Sequence, residues 1–195
     1  MTDEVELRPV AEDDVAVIER LRTDPRLAGE FLWQGWHDPR RYRRRWEDNR
    51  MLGEDLGNLA VVRGGRLLGI VSYRKIAYME QSWFWSVGIS LLPDARGHGA
   101  GSRAQRLLVE YLFAHTAVHR IQAEVEVDNI AEQRALERAG FTREGVMRGV
   151  GFRGGEHRDE VLYSILRTDL APGPNGGPNG GPNGGPNGGP GSGRA

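Results

Sequence analysis

The stretch Arg96-Gly97-His98-Gly99-Ala100-Gly101 lies between an apolar run ending near Leu92 and a helical pattern beginning near Gly99. Its three alternating glycines let the backbone pass close to a ligand without Cβ clashes, and they leave several N–H groups unpaired at the start of a helix. Together with the positive end of the helix dipole, those groups form a cradle suited to a phosphate or pyrophosphate. Read alone, the six residues fit equally a glycine-rich turn into an ordinary helix. A nucleoside-triphosphate loop would need Lys-Ser/Thr after its last glycine, where this chain has Ser102-Arg103. The dinucleotide fingerprint would need Gly-x-Gly-x-x-Gly opening the first helix of a βαβ unit, whereas these glycines alternate and come mid-chain.

The remaining sequence bounds what such a cradle can serve. About 170 residues of ordinary composition suit one compact domain with a sizeable core. From Ala171 the chain changes character, with Pro-Asn-Gly-Gly repeats from Pro174 through Gly189 that hold no apolar side chain, which predicts a flexible tail over 171–195 whose deletion leaves activity and melting temperature nearly unchanged. There is no cysteine, which removes disulfides and a thiolate nucleophile and suits a reducing cytoplasm. A net charge of −1 argues for neither nucleic acid nor membrane as partner, and no apolar run is long enough to span a bilayer.

Working outward, Val5 to Val10 alternates as a half-buried strand does, and Val15, Ile18 and Leu21 recur at helical spacing behind Glu12-Asp13-Asp14 until Asp24-Pro25. Leu27 to Asp38 holds Phe31, Trp33 and Trp36 with no clean period; it reads either as a loop filling the core or as a wall of an acceptor pocket. In Arg40 to Trp46, Tyr42 and Trp46 are four apart and face inward on a helix while the arginines fan outward. That is a solvated face, with an RNA patch or a contact to a cofactor's adenosine phosphate as the alternatives. Leu59 to Arg63 and Arg66 to Tyr73 flank the hairpin signal Gly64-Gly65, and Ser82 to Leu92 is a third strand feeding the cradle. The cradle's helix carries the stripe Ala104, Leu107, Leu108, Tyr111 and Leu112. A strand over 119–127, a short helix after Asn129 ended by Gly140, and strands over 141–150 and 160–166 complete the order βα(α)βββαβαββ. This is an α/β fold with a mixed, mostly antiparallel sheet flanked by helices.

Arg96-x-x-Gly99-x-Gly101, preceded by Val87-Gly88-Ile89-Ser90-Leu91 and Pro93 and followed by Asp128-Asn129 and Ala139-Gly140-Phe141, resembles the core of the GNAT superfamily of N-acetyltransferases in order and spacing. The ending Arg158 to Leu166 is similar to the branch of ribosomal-protein N-terminal acetyltransferases, and the resemblance covers residues 4 to 168, within a domain taken as 1–170. It implies direct transfer of an acetyl group from acetyl-CoA to an amine, with no metal. It further implies that the backbones of Gly88, Ile89 and Leu91 meet the pantetheine and polarise the thioester. Backbone N–H groups of Gly97, Gly99, Ala100 and Gly101 would hold the pyrophosphate with the Ser102 hydroxyl and Arg103 as adjuncts, Arg96 would belong to the same cofactor site, and Asn129 would reach the pantetheine or the sulfur. Phe31, Trp33, Trp36 and Trp85 are the candidate acceptor residues. The acceptor is expected to be a small-molecule amine or a peptide N-terminus; a homodimer is compatible with the reading.

The acid and base do not carry over. The strand stretch Trp83 to Ser86 has no carboxylate where some members place a glutamate, Leu136 stands where some place a tyrosine, and Glu132 where the ribosomal-protein branch commonly has a serine. Glu126, Glu124 and Glu80 are the candidate bases, Glu126 first for its place near the end of its strand, although each also fits a solvated strand charge. An α-amine needs roughly 3 kcal/mol less help than a lysine side chain to lose its proton at neutral pH, so a weak base favours an α-amine acceptor. A non-catalytic acyl-CoA sensor on the same fold is the competing hypothesis.

Overall fold

Gly64 and Gly65, with φ of 56° and 82°, close a two-residue hairpin between β2 (Leu56–Arg63) and β3 (Arg66–Met79) in the computed structural model, which describes residues 4–170. Both residues need positive φ, which only glycine adopts without strain. β1 (Val5–Pro9) pairs with β2, and β3 pairs along its length with β4 (Ser82–Leu91). Across the middle of the sheet lie β5 (Arg120–Glu126), β6 (Thr142–Arg153) and β7 (Glu156–Leu166), giving one seven-stranded sheet in the order β1-β2-β3-β4-β5-β7-β6. Every pairing is antiparallel except that of β4 with β5, which is parallel and limited to Trp85 with Ile121 and Ser86 with Gln122. Past that point β4 continues on β3 and β5 on β7, so the sheet forks at its centre.

Helices cover both faces. On one face α1 (Glu12–Thr23) and α3 (Arg41–Asn49) bury Val15, Ile18 and Tyr42 against Ala60, Val62 and Ile70. Tyr42 does face inward with Trp46, whose Nε1 donates to the Val10 carbonyl at 2.8 Å. The short α2 (Pro25–Ala28) follows α1 directly. On the other face α4 (Ala100–His115) and α5 (Ile130–Ala139) cover the main core, which includes Val71, Trp85, Ile121, Val161 and Tyr163. α6 (Arg167–Leu170) ends the described chain. The expected tail over 171–195 lies outside the described residues.

Three expectations change. The α4 stripe is rotated, with Val109 and Phe113 buried and Tyr111 exposed beside His115, because α4 packs against α5 as well as the sheet. The aromatics of the segment after α2 do not fill the core: Trp33 and Trp36 stack edge to face at 5.0 Å, and Trp36 is 79% exposed. The last two strands run to Arg153 and from Glu156, since Gly154-Gly155, with φ of 62° and 85°, makes a second tight turn.

Candidate functional site

The fork opens into a cleft of about 660 Å3. One wall is the edge of β4 at Val87, Gly88, Ile89 and Leu91, and the other is β5 from Ala123 to Glu126 with Asn129 beyond it. Strand separation leaves backbone donors and acceptors on these two edges without a neighbouring strand, so they are open to an extended ligand.

The glycine stretch meets the cleft at the head of α4. Gly97 and Gly99 have φ of 80° and 76°, conformations that favour glycine. Gly99 is the N-cap, no side chain caps the helix, and the Arg103 N–H bonds to the Gly99 carbonyl at 3.2 Å. The N–H groups of Ala100, Gly101 and Ser102 therefore precede the first intrahelical bond and point out of the helix end. Those donors, the helix dipole and the guanidinium-bearing Arg134 and Arg138, which line the cleft from α5, fit a diphosphate.

Arg96 has a different task. Its Nε donates to the Leu91 carbonyl at 2.9 Å, and its Nη2 donates to the carbonyls of Leu27 at 2.6 Å and Ala28 at 3.2 Å. Its side chain thus clamps the end of β4 to the end of α2 while the residue lines the cleft, and burial lowers its pKa. Gly29, at φ 73°, leaves room for it: an added Cβ there would come within 2.9 Å of Arg96 Nη1. The Leu91 carbonyl is correspondingly occupied within the chain.

Carboxylates gather on the β5 and β7 side. Opposed residues in a sheet share a face, and Ser86 opposes Gln122, Glu126 opposes Glu160, and Glu124 lies between. Ser86 Oγ donates to Glu124 Oε2 at 3.0 Å across the fork. Glu126 accepts from Arg153 Nε and Nη2, both at 2.7 Å, which holds its carboxyl below the usual range. Glu160 moves the other way: burial, then the charges of Glu124 and Glu126, raise its pKa. Glu132, in the first turn of α5, is pushed up to about 7, chiefly by burial, with a smaller opposing effect from Gln105. Asn129 caps α5, its side chain accepting from the Glu132 N–H at 3.2 Å.

Of the residues singled out in the sequence, Gly88, Ile89, Leu91, Arg96, Gly97, Gly99, Gly101, Ser102 and Asn129 all line the cleft. Ala100 is buried behind it and contributes only its backbone, while Arg103 is exposed outside it. Glu124, Glu126 and Phe31 line the cleft; Glu80 sits exposed in the β3–β4 turn, and Trp33 and Trp36 lie outside the lining. Alternation along β4 turns Trp85 into the core, where its Nε1 donates to Thr116 Oγ1 at 3.3 Å. The sequence reading missed Glu160, Arg134 and Arg138. The α5 pair was detectable, since Ala131, Arg134, Ala135 and Arg138 fall on one helical stripe; Glu160 depends on a strand pairing with no local signal.

The comparisons agree with this geometry. A family model described as "Acetyltransferase (GNAT) domain" matches residues 4–142. The probable N-acetyltransferase YjcK of Bacillus subtilis is 36% identical over 105 residues, 53% of this chain and 57% of that protein, so the chain spans little more than half the length of this relative. Among solved structures, spermidine N-acetyltransferase from Vibrio cholerae in complex with CoA and spermine aligns with a TM-score of 0.73 at 19% identity, covering 85% of this chain and 96% of that one. The ribosomal-protein-S5-alanine acetyltransferase from Vibrio fischeri aligns with a TM-score of 0.71 at 21% identity, covering 88% and 98%. At these identities the two structures speak for the fold.

Proposed function

The chain belongs to the GNAT acetyltransferase family, and from that premise we propose that it transfers an acetyl group from acetyl-CoA to a primary amine, an α-amine or a small-molecule amine in particular. The observation that carries the reading is the fork between β4 and β5 opening directly onto the uncapped head of α4. Acetyl-CoA supplies an activated acetyl thioester, whose carbonyl oxygen gains charge as the amine adds. The N–H groups from Gly97 to Ser102 bind the pyrophosphate, with the Ser102 hydroxyl, Arg134 and Arg138 as further donors. The free edge of β4 at Gly88 and Ile89 aligns the pantetheine and directs backbone N–H groups at the developing charge, which favours the tetrahedral state over the ground state.

Glu160 is the carboxylate best suited to accept the amine proton, because it lines the cleft and its environment raises its basicity. Glu126, first among the sequence candidates, is held ionised by Arg153, which weakens it as a base. Glu132, near half-protonated at neutral pH, holds a proton that it can release inside the cleft beside Asn129. A carboxylate base still fits best an acceptor that already loses its proton near neutral pH, as an α-amine does at about 8. The relatives named for spermidine and for a ribosomal-protein alanine are both amine acetylators, which supports the amine class.

The test is release of free CoA thiol from acetyl-CoA by the purified protein against peptides, polyamines, amino acids and amine-bearing antibiotics. Amine-dependent release with a matching acetylated product is expected. Acetyl-CoA binding without release for any amine would overturn the transferase reading in favour of an acyl-CoA sensor.

A further inference from the structure

A second hollow, of about 190 Å3, lies on the sheet face that carries Ser86 and Glu124. It is reached from Arg22 on α1, Arg41 and Arg45 on α3 and Arg74 on β3, with Asn58 and Ser72 among the groups of its floor. No carboxylate lines it, and none of the four arginines has an ion pair among the described residues. Arg8, Arg120 and Arg153, by contrast, each pair with an acid. One hydrogen-bond donor here, Arg22 Nε, is buried without a partner among the described residues. A buried guanidinium N–H needs an acceptor, and four arginines lining one hollow repel one another unless an anion joins them. Burial already lowers the pKa of Arg45.

The position of the hollow is as informative as its charge. Val87 and Gly88 line both it and the cleft, and Asn58, Ser72 and Gly88 oppose one another in register across β2, β3 and β4. With strands about 4.8 Å apart, Asn58 on β2 lies roughly 10 Å across the sheet from β4 at the fork. An amine placed beside Glu124 and Glu160 can therefore extend a second group over Ser86 into the arginines. We propose that the hollow is an anion subsite for the acceptor, so that the preferred amine carries a carboxylate or a phosphate on a spacer long enough to cross the sheet beside Ser86. This rests on the amine-acetylation reading of the cleft, and it absorbs two of the arginines of the Arg40 to Arg45 run, which sequence alone left as a solvated face.

Two arms test it. In the first, inorganic phosphate is titrated into the full chain while the arginine Nε–Hε signals are followed by NMR. Saturable shifts at Arg22, Arg41, Arg45 and Arg74 are expected, with at least tenfold weaker binding in Arg45→Gln and Arg74→Gln and partial recovery in Arg45→Lys. Phosphate that leaves these signals unmoved, or binds equally to the variants, overturns the proposal whatever the catalytic outcome. In the second, kcat/KM is compared for alanyl-glutamate amide against alanyl-glutamine amide, and for alanyl-phosphoserine amide against alanyl-serine amide. A preference of about tenfold for one acidic member, lost in Arg45→Gln, is expected, and the pair that shows it names carboxylate or phosphate. Equal turnover of acidic and neutral members overturns the subsite while leaving amine acetylation standing. Absence of turnover with all four, with phosphate still bound, overturns the acceptor role.

Discussion

Arg153 Nε and Nη2 each donate at 2.7 Å to the two carboxylate oxygens of Glu126, a fork-to-fork pair joining β6 to β5 at the edge of the cleft. The same guanidinium lies 3.7 Å from Glu30 and 5.3 Å over the Phe31 ring, so one side chain fixes the strand, the hairpin and the segment after α2 together. Planar bidentate geometry of this kind is specific to arginine. Arg153→Met is expected to release the Phe31 segment, raising KM for the amine about tenfold while the affinity for acetyl-CoA changes less than twofold. Steady-state kinetics beside calorimetric titration with acetyl-CoA decide it; an equal loss in both would place Arg153 at the cofactor instead.

The two carboxylates opposed across β5 and β7 are pushed in opposite directions, Glu126 down by Arg153 and Glu160 up by burial and by its acidic neighbours. A base whose pKa moves toward the working pH is the better catalyst, and general-base assistance contributes about 100-fold or more. Glu160→Gln is expected to lower kcat/KM about 100-fold at pH 7, and Glu126→Gln less than tenfold. Because the Glu160 carboxyl keeps its proton to higher pH than an ordinary glutamate, the kcat profile at saturating amine should show an acidic limb above 4.5 in the wild type that is lost in Glu160→Gln. A larger loss in Glu126→Gln would return the base to Glu126.

Arg96 shows where the sequence was legible and where it was not. The alternation of β1 and β5, the Gly64-Gly65 turn and the glycines before α4 are local signals, and the structure has each of them. The GNAT order of elements could be read for the same reason. What Arg96 binds could not be read, because its acceptors at Leu27 and Ala28 are almost seventy residues away and join it only through the folded chain. Glu160 and the arginine-lined hollow share that origin, the first a product of strand register and the second of α1 and α3 packing over β3. Trp85 was misplaced because an aromatic strand gives no sign of which face is the core.

Three carbonyl acceptors on one part-buried guanidinium make Arg96 a structural clamp. Arg96→Met keeps much of the packing but leaves those carbonyls without a donor, at an expected cost of about 2–3 kcal/mol. Chemical denaturation measures it directly, and acetyl-CoA affinity at a temperature where the variant is folded should fall severalfold because β4 and the loop after α2 lose their common tie. A variant as stable as wild type, with acetyl-CoA affinity reduced a hundredfold, would show that Arg96 contacts the cofactor itself.

Glu132 gives the chain a pH response in the neutral range. Its folded pKa of about 7 stands above the ordinary value of 4.5 because burial disfavours the carboxylate. The folded state therefore binds this proton more tightly than the unfolded chain does. The stability so gained is fully present below about 4.5 and is lost as pH rises through 7. Glu132→Gln, which keeps the shape and cannot ionise, is expected to flatten the dependence of Tm on pH between 5 and 8, and to be more stable relative to wild type at pH 8 than at pH 5. Ionisation of Glu132 also places a negative charge in a cleft read as binding a pyrophosphate, so acetyl-CoA affinity should fall from pH 6 to pH 8 in the wild type and less in the variant. Parallel melting and binding profiles for the two proteins would show that Glu132 stays ionised throughout, leaving the cleft without a proton donor at that position.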